Sequence, residues 1–344
     1  MNSLTYREIR DQYNRLQKTE AYMNENMEKI MHRYGSHPAI VYIGCGSSYS
    51  LAKSMATGTM MHLNKKSAAI PGGDIMLRPE AYRDLVDGAL VVALSRSGST
   101  SEVLLACDGL KKAGARYTLL SFSCRTGKEL ASMSDLALEM PWAFDESVCQ
   151  TSTVTNLYFS GMLLIAELSQ NKTLVRALSE MVERGGGFIA ENERSFAEIA
   201  RIDWGQGICL GDAELCGICE EGALTFKEIC RLPSNYYNLL DSRHGPMTII
   251  GGDNLVIAAV SDVENTYERD LIRDIRDQNC TLVTISDLPY EMDGVVNFCI
   301  GERVPYPVLG MPFINAAQMI TCYKAQQRGV NPDQPDGLDP WITL

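Results

Sequence analysis

Two stretches of the chain share one pattern of apolar and polar residues, and this internal similarity constrains the fold more than any other feature. The segment VVALSRSGSTSEVLLACDGLKKAGARYTLLS begins at Val91, and VIAAVSDVENTYERDLIRDIRDQNCTLVTIS begins at Val256. Aligned without a gap, the two keep an offset of 165 residues through their final serines, Ser121 and Ser286. A repeat of this length predicts a duplicated domain.

Each copy alternates apolar runs with amphipathic stretches, as in a sheet whose strands are joined by helices. Runs such as ALVVALS at 89–95 are apolar throughout, as expected of parallel strands covered on both faces. Gly46 and Gly211, each after the first strand of its half, keep the same offset. The alternation predicts an α/β fold with two tandem doubly wound, flavodoxin-like parallel sheets related by internal duplication.

We predict five consecutive regions along the chain. The polar N-terminal stretch has apolar residues at helical spacing, and a second helical stretch links the two halves. The regions are a helical segment at 1–35, a first α/β domain at 36–170, a linking helix at 171–200, a second α/β domain at 201–330 and a proline-rich tail at 331–344.

Charge and cysteine content restrict which partners and which cellular location are expected. The 43 acidic residues outnumber the 31 basic ones, and the net charge of −12 argues against nucleic acid or an anionic membrane as a partner. No apolar run approaches the roughly 18 residues that span a membrane. Without a signal peptide, the eleven cysteines are expected to be reduced thiols of a cytoplasmic protein. Cys216-x-x-Cys219 is more typical of a helix face than of a metal site, so no metal is predicted.

A turn rich in hydroxyl groups distinguishes the first copy from the second. The first copy has Ser-Arg-Ser-Gly-Ser-Thr at 95–100, whereas the second has Val-Ser-Asp-Val-Glu-Asn at 260–265. This turn and the Gly-Ser-Ser at 46–48 both follow predicted strands, where parallel sheets bind ligands beside helix N-termini. Together they suit a phosphate monoester. The alternative is that Ser97 and Thr100 merely cap their helix.

Nucleotide binding is a weaker interpretation of the same turns. The Gly-Lys-Ser/Thr that ends a Walker loop is absent, and so is the G-x-G-x-x-G fingerprint of dinucleotide sites.

A second group of candidate residues lies in EEGALTFKEICRLPSNYYNLLDSRHGPMTII. Glu221 and Glu228 are seven residues apart and share a helix face, and His244 follows sixteen residues after Glu228 on a loop that ends in Gly-Pro. A carboxylate and an imidazole can act as the base and the acid that move protons on a sugar. A solvated helix carboxylate and a histidine that satisfies a turn are the alternatives.

The motifs GCGSSY, LSRSGST, EGALTFKEI and RHGP together resemble the sugar isomerase (SIS) family, from about Ala39 to the DQP of the tail. The chain looks most like the isomerase half of glucosamine-6-phosphate synthase and its stand-alone relatives, which include phosphosugar isomerases, deaminases and deglycases. The resemblance implies two tandem SIS domains. It also implies phosphate binding by Ser48, Ser95, Arg96, Ser97 and Thr100, and sugar binding by Gly46, Ser47, Gln150 and Thr151.

The resemblance also assigns the chemistry. Glu228 matches the base that carries a proton between C1 and C2 of the open-chain sugar, and no cofactor is implied. His244 matches the ring-opening histidine, which in relatives comes from the neighbouring subunit. A homodimer or a higher oligomer, with His244 donated across the interface, is therefore expected.

Three departures from the synthase shape the expected reaction. Thr225 and Pro340 stand where the synthase has lysines, the second of which forms a Schiff base, and a glutaminase domain is absent. A substrate that already bears an amine needs no such lysine. We therefore expect a deglycase or deaminase acting on a ketosamine or amino-sugar 6-phosphate. Aldose–ketose isomerisation by the same residues is the close alternative, and a non-catalytic sugar-phosphate sensor is the alternative of another class.

Overall fold

The computed structural model describes residues 2–34, 37–260, 265–337, 339 and 344. They fall into two compact units. The first unit comprises the described residues of 12–146, 152–175 and 339–344, and the second comprises those of 1–11, 147–151 and 176–338. The predicted domain boundaries, which cut the chain into consecutive stretches, stay a prediction.

The first sheet has five parallel strands among the described residues, in the order β2-β1-β3-β4-β5. In chain order the elements are α1 (Leu4–Tyr34), β1 (Ala39–Gly44), α2 (Ser47–Leu63), β2 (Lys66–Pro71), α3 (Gly72–Leu77), α4 (Pro79–Val86), β3 (Leu90–Ser95), α5 (Ser101–Lys112), β4 (Thr118–Ser123), α6 (Glu129–Met133), β5 (Leu136–Glu139) and α7 (Ser152–Leu168).

The second sheet, within the described part of the chain, also has five parallel strands, in the order β10-β9-β8-β6-β7. Its elements are α8 (Lys172–Arg201), β6 (Gln206–Leu210), α9 (Leu215–Glu228), β7 (Ser234–Tyr237), β8 (Asn254–Val260), α10 (Thr266–Arg276), β9 (Thr281–Ser286), β10 (Val295–Cys299) and α11 (Gly310–Arg328). Short 3₁₀ turns lie at Leu240–Arg243, Pro246–Ile249 and Tyr306–Leu309.

Each central strand is buried on both faces, as its uninterrupted apolar sequence predicts. In the first unit, Val41 and Val91 pack with Val103 and Leu110 of α5 on one face of the sheet. On the other face Tyr42 hydrogen-bonds Thr59 of α2 at 2.8 Å. Helices therefore cover both faces of the first sheet, and the predicted α/β fold with two parallel sheets is confirmed.

The sheet registers correct the gapless alignment of the two halves. Val91 pairs with Leu119 in the first sheet, whereas Val256 pairs with Leu282 in the second. The connection from the third strand to the fourth is thus two residues shorter in the second half. Ser286 consequently occupies the register position of Ser123 rather than that of Ser121.

The same shortening affects the connection before the third strand. Val41 pairs with Val91, whereas Ile208 pairs with Val256, so Gly211 corresponds to Gly44 and not to Gly46. Hydrogen-bonded register fixes the strands, while loops between them absorb insertions. Both sheets keep the strand order second-first-third-fourth-fifth, and descent from a duplication stays a prediction.

The sequence pattern missed three strands. The strands β2, β7 and β10 are short edge strands with half-exposed residues, so they lack a long apolar run. The acidic turn of the second half, 261–264, and Pro340 lie outside the described residues. Among the helices that the structure describes, none is long and apolar enough to cross a membrane.

Candidate active site

The hydroxyl-rich turns of the first unit lie at the switch point of its sheet. The strands β1 and β3 are neighbours, and the chain leaves β1 toward β2 on one side and β3 toward β4 on the other. The Gly-Ser-Ser at 46–48 follows β1, and the turn at 95–100 follows β3. The crevice outside this point is where open α/β sheets bind ligands. Ser47 and Ser48 are the first residues of α2 and are buried.

Hydrogen bonds hold the turn after β3 in one shape. The Ser95 Oγ accepts the Gly98 N–H at 3.0 Å and is hydrogen-bonded to the Thr100 Oγ1 at 2.9 Å. The Ser97 Oγ accepts the Ser99 N–H at 3.2 Å. Gly98 has a φ of +68°, and a Cβ there would lie 2.8 Å from the Cβ of Lys128. The glycine is therefore required by both backbone conformation and space.

The side chain of Thr100 does not cap its helix, although its residue occupies the N-cap position of α5. Asn265, at the equivalent place before α10, does cap, because its side chain accepts the Tyr267 and Glu268 N–H groups. Capping thus accounts for the residue at this position in the second unit but not for the Thr100 hydroxyl in the first. The geometry therefore excludes the alternative that the Thr100 side chain merely caps its helix.

Two arginines flank one aromatic ring beside this turn. The Arg96 guanidinium lies 5.6 Å from the centroid of the Phe144 ring, and the Arg125 guanidinium lies 4.2 Å from it. Arg96 is buried, and its carbonyl accepts the Cys124 N–H at 3.0 Å, which joins the turns that follow β3 and β4. The ring orients both cations at the carboxyl edge of the sheet. Arg96 lies in the predicted phosphate-binding turn, whereas no sequence motif marks Arg125, which was therefore not predicted.

A thiol lies at the same edge. Cys45 is half-buried between β1 and α2, and burial raises the pKa of its thiol to about 11, with a further contribution from the Glu102 carboxylate. The thiol is thus neutral at ordinary pH and does not oppose an anion.

The segment Ser147–Thr151 belongs to the second unit and contains the two predicted sugar contacts beyond the turns. Thr151 is fully buried, and its carbonyl accepts the Gln318 side-chain N–H at 3.0 Å. The Oε1 of Gln150 is buried and accepts no hydrogen bond from any residue that the structure describes. This acceptor is available to a hydroxyl or ammonium group of a ligand.

Glu228 is the last residue of α9 and is half-buried. One turn earlier, Thr225 is buried and donates its hydroxyl to the Gly222 carbonyl at 2.7 Å. The place of the synthase lysine is therefore taken by a side chain that is satisfied within the helix.

His244 is exposed and directly follows the 3₁₀ turn Leu240–Arg243. Its neighbour Arg243 donates from Nε and Nη2 to the Oδ2 of Asp274, at 3.0 and 2.6 Å. Arg243 is thus engaged by a carboxylate of its own chain.

The second sheet separates Glu228 from His244. A Cβ on Gly207 would meet the Phe226 ring of α9, so this helix covers the face to which residue 207 points. Neighbouring residue Ile208 points to the opposite face, where it packs in one cluster with Leu239 and Ile250, which bracket His244 in sequence. A single chain therefore presents its two predicted catalytic residues on opposite faces of one sheet.

The cysteine pair at 216 and 219 lies on α9, as predicted for a helix face. Cys219 is buried, which raises the pKa of its thiol, and the Cys216 thiol is hydrogen-bonded to Asn238 at 3.4 Å. The described residues contain no group of three or more His, Cys, Asp or Glu side chains that could hold a metal ion.

A buried polar stripe on α1 was missed by the sequence analysis. Within the first unit, Gln12 accepts from Thr155 at 2.5 Å and Thr19 donates to Asn156 at 2.6 Å. Within the second unit, the Glu8 carboxylate accepts from the N–H and hydroxyl of Ser147. The spacing of Glu8, Gln12 and Thr19 on one helix face was the available signal. In a helix so polar overall, it did not stand out.

Comparison with known proteins shows which family and which enzymes the chain is similar to. Residues 34–167 match the SIS domain family. A D-galactosamine-6-phosphate deaminase, AgaS, of Shewanella sp. (strain ANA-3) is 25% identical over 309 residues, which cover 86% of this chain and 77% of that protein. The crystal structure of a glucosamine-6-phosphate deaminase from Thermotoga maritima is 28% identical, with a TM-score of 0.84, and covers 99% of this chain and 100% of that one.

A longer relative matches as well. A glutamine–fructose-6-phosphate aminotransferase (isomerizing) of Pyrobaculum aerophilum is 23% identical over 317 residues, and the matched part of the chain spans 51% of its length. The resemblance to the SIS family is therefore confirmed. The match to the SIS domain covers residues 34–167, and the similar proteins named here are two amino-sugar-phosphate deaminases and an isomerizing aminotransferase.

Proposed function

We propose that the protein is a cofactor-free deaminase or deglycase of 6-phosphorylated amino sugars. The observation that carries the proposal is the hydroxyl-rich turn at 95–100, which is buried at 95–98 and half-buried at Thr100, whose hydroxyl is not used to cap α5. Hydroxyl and amide donors at a helix N-terminus, next to the Arg96 guanidinium, suit a phosphate dianion. The deaminases with 25% and 28% identity favour an amino sugar over a plain ketose phosphate.

In this proposal His244 opens the sugar ring and Glu228 moves one proton between C1 and C2. For a 2-amino aldose, Glu228 takes the proton from C2 and returns it to C1, which leaves an imine at C2. For a ketosamine the proton moves from C1 to C2 and the imine forms at C1. Water then adds to the imine and releases the amine, so the products are a hexose 6-phosphate and ammonia or an amine. The substrates and products have the same overall oxidation level, so the reaction needs no redox cofactor.

The absence of both synthase lysines supports hydrolysis of an existing imine. The Schiff-base lysine, whose place Pro340 takes in this sequence, would form an imine with a ketose, whereas the proposed substrate supplies its own nitrogen. Thr225 offers no amine, and its hydroxyl is bound to the Gly222 carbonyl.

A second copy of the chain would complete the chemistry. Glu228 and His244 lie on opposite faces of the second sheet, so we propose that His244 acts in the site of a neighbouring subunit. Its exposure, and that of Leu240 and Ile249 on either side of it, supports a role at an interface.

The test is a panel of glucosamine 6-phosphate, galactosamine 6-phosphate, fructosyl-amino acid 6-phosphates and fructose 6-phosphate, each incubated in deuterium oxide. The proposal expects release of amine and hexose phosphate, with deuterium at C1 or C2. Deuterium uptake with ketose–aldose interconversion alone would make the protein an isomerase. Binding with neither product nor deuterium uptake would make it a sensor.

A further inference from the structure

The carboxylate of Asp333, in the C-terminal tail, closes the N-terminus of α1. Its Oδ2 accepts the Leu4 N–H at 2.9 Å, and its Oδ1 accepts the Thr5 N–H and hydroxyl, both at 2.8 Å. The first turn of α1 contains no acidic residue. A helix N-terminus leaves N–H groups unsatisfied and favours a negative charge, so a residue more than 300 positions away supplies what the helix itself lacks.

The same residue also holds the segment Ser147–Thr151. The carbonyl of Asp333 accepts the Val148 N–H at 2.9 Å. One turn beyond Thr5 on α1, the Glu8 carboxylate accepts the Ser147 N–H at 3.3 Å and the Ser147 hydroxyl. All of these residues belong to the second unit.

Three elements therefore hold the segment Ser147–Thr151 in place: the tail, α1 and α11. Asp333 and Glu8 hold its start, and Gln318 of α11 holds its end through the Thr151 carbonyl. Between these anchors lies Gln150, whose Oε1 has no hydrogen-bond donor among the residues that the structure describes. A buried acceptor can serve a ligand only if the backbone that carries it is fixed.

We propose that Asp333 is a positioning residue, which fixes the segment Ser147–Thr151 so that Gln150 meets the sugar. This inference rests on the proposed function and on the sugar contact predicted for Gln150 from the family resemblance. In the synthase family the tail beyond DQP carries an imine-forming lysine, whereas this chain has Pro340 there. The tail of this chain thus supplies the anchoring residue Asp333 and has no lysine at residue 340.

The experiment compares Asp333→Ala and Asp333→Asn with Asp336→Ala in the full-length protein. Asp336 lies on the same tail and is exposed, with a surface ion pair to Arg231 at 3.2 Å, so it is the matched control. Hydrogen–deuterium exchange follows the Leu4, Thr5 and Val148 amides. Isothermal titration measures affinity for fructose 6-phosphate and for inorganic phosphate.

We expect Asp333→Ala to speed exchange at all three amides by about tenfold or more and to weaken fructose 6-phosphate about tenfold, roughly 1.4 kcal/mol. Affinity for inorganic phosphate should stay within about twofold, because this ligand has no sugar for Gln150 to contact. Asp333→Asn keeps an acceptor oxygen and should recover part of the loss, and Asp336→Ala should change nothing.

Faster exchange at the Leu4 and Thr5 amides, with unchanged exchange at the Val148 amide, would show that Asp333 acts only as a helix cap. That result would overturn the inference. An equal loss of both ligands would overturn it as well. If Asp333→Ala does not fold, Thr5→Val removes only the hydroxyl contacts and applies the same test. The binding and exchange measurements do not depend on turnover, so absence of activity on the panel would count against the proposed function alone.

Discussion

Replacing Thr100 with valine separates a ligand-binding hydroxyl from a structural one. Valine keeps the shape of the side chain and removes only the hydroxyl, which is hydrogen-bonded to the Ser95 hydroxyl at 2.9 Å. The Gly98 N–H still donates to the Ser95 Oγ at 3.0 Å, so the turn keeps its backbone hydrogen bond. The free energy of unfolding should therefore fall by only about 0.5–1.5 kcal/mol, the net value of one hydrogen bond.

The effect on phosphosugar affinity should be larger. A hydrogen bond to a charged group contributes about 1.5–3 kcal/mol, which corresponds to about 10- to 150-fold weaker binding of fructose 6-phosphate. Unphosphorylated fructose should bind as before. Isothermal titration measures both affinities, and chemical denaturation measures the stability.

Asn265→Ala is the matched control in the second unit. It removes a side-chain cap and should lower the free energy of unfolding by about 1 kcal/mol, close to the loss expected for Thr100→Val. Phosphosugar affinity should not change. Equal loss of affinity for phosphorylated and unphosphorylated sugars in Thr100→Val would show that the hydroxyl does not bind the phosphate. The same loss of affinity in Asn265→Ala would show this as well.

Three further predictions concern other residues of the candidate site. Glu228→Gln should lower kcat by about 10²- to 10⁴-fold and keep phosphosugar affinity within about tenfold, because it removes the base and not the phosphate contacts; steady-state kinetics and titration measure the two. Arg125→Met should weaken phosphosugar binding by about 3- to 10-fold in the same titration, because the Phe144 ring would lose one of the two cations that fix its position beside Arg96. Alkylation of Cys45, followed by mass spectrometry, should accelerate about tenfold per pH unit from about pH 8 to 10, because its raised pKa keeps the reactive thiolate scarce until about 11.

Controls and contrary outcomes differ for each. Glu220→Gln changes a carboxylate on the same helix and should retain turnover, whereas full activity in Glu228→Gln would remove that residue as the base. Arg116→Met alters an exposed arginine that pairs with Asp87 and should leave binding unchanged. An alkylation rate for Cys45 that levels off near pH 9 would show an ordinary thiol.

The local elements of the fold could be predicted because short-range physics determines them. The apolar run at 89–95 contains β3, and the polar N-terminal stretch, predicted to be helical, forms α1. Edge strands such as β7 were missed because only pairing with a neighbour, and not a distinctive composition, makes them strands.

The candidate phosphate turn could also be predicted, since its residues are contiguous and follow one strand. Its neighbour Arg125 could not, because the ring that unites Arg96 with Arg125 comes from Phe144, a residue distant in the chain. Likewise, nothing in the sequence ties Asp333 to Leu4 or Val148.

The order of residues was enough to predict the alternation of strands and helices, the hydroxyl turn after β3 and the loss of that turn from the second half. The folded chain was needed to show that Gly211 corresponds to Gly44, that a sheet separates Glu228 from His244, and that the tail is anchored on α1. Periodicity and turn chemistry depend on residues that are close together in the chain, so they can be recognised in the sequence. Register, sheet faces and long-range hydrogen bonds depend on loop lengths and on partners that only folding brings together.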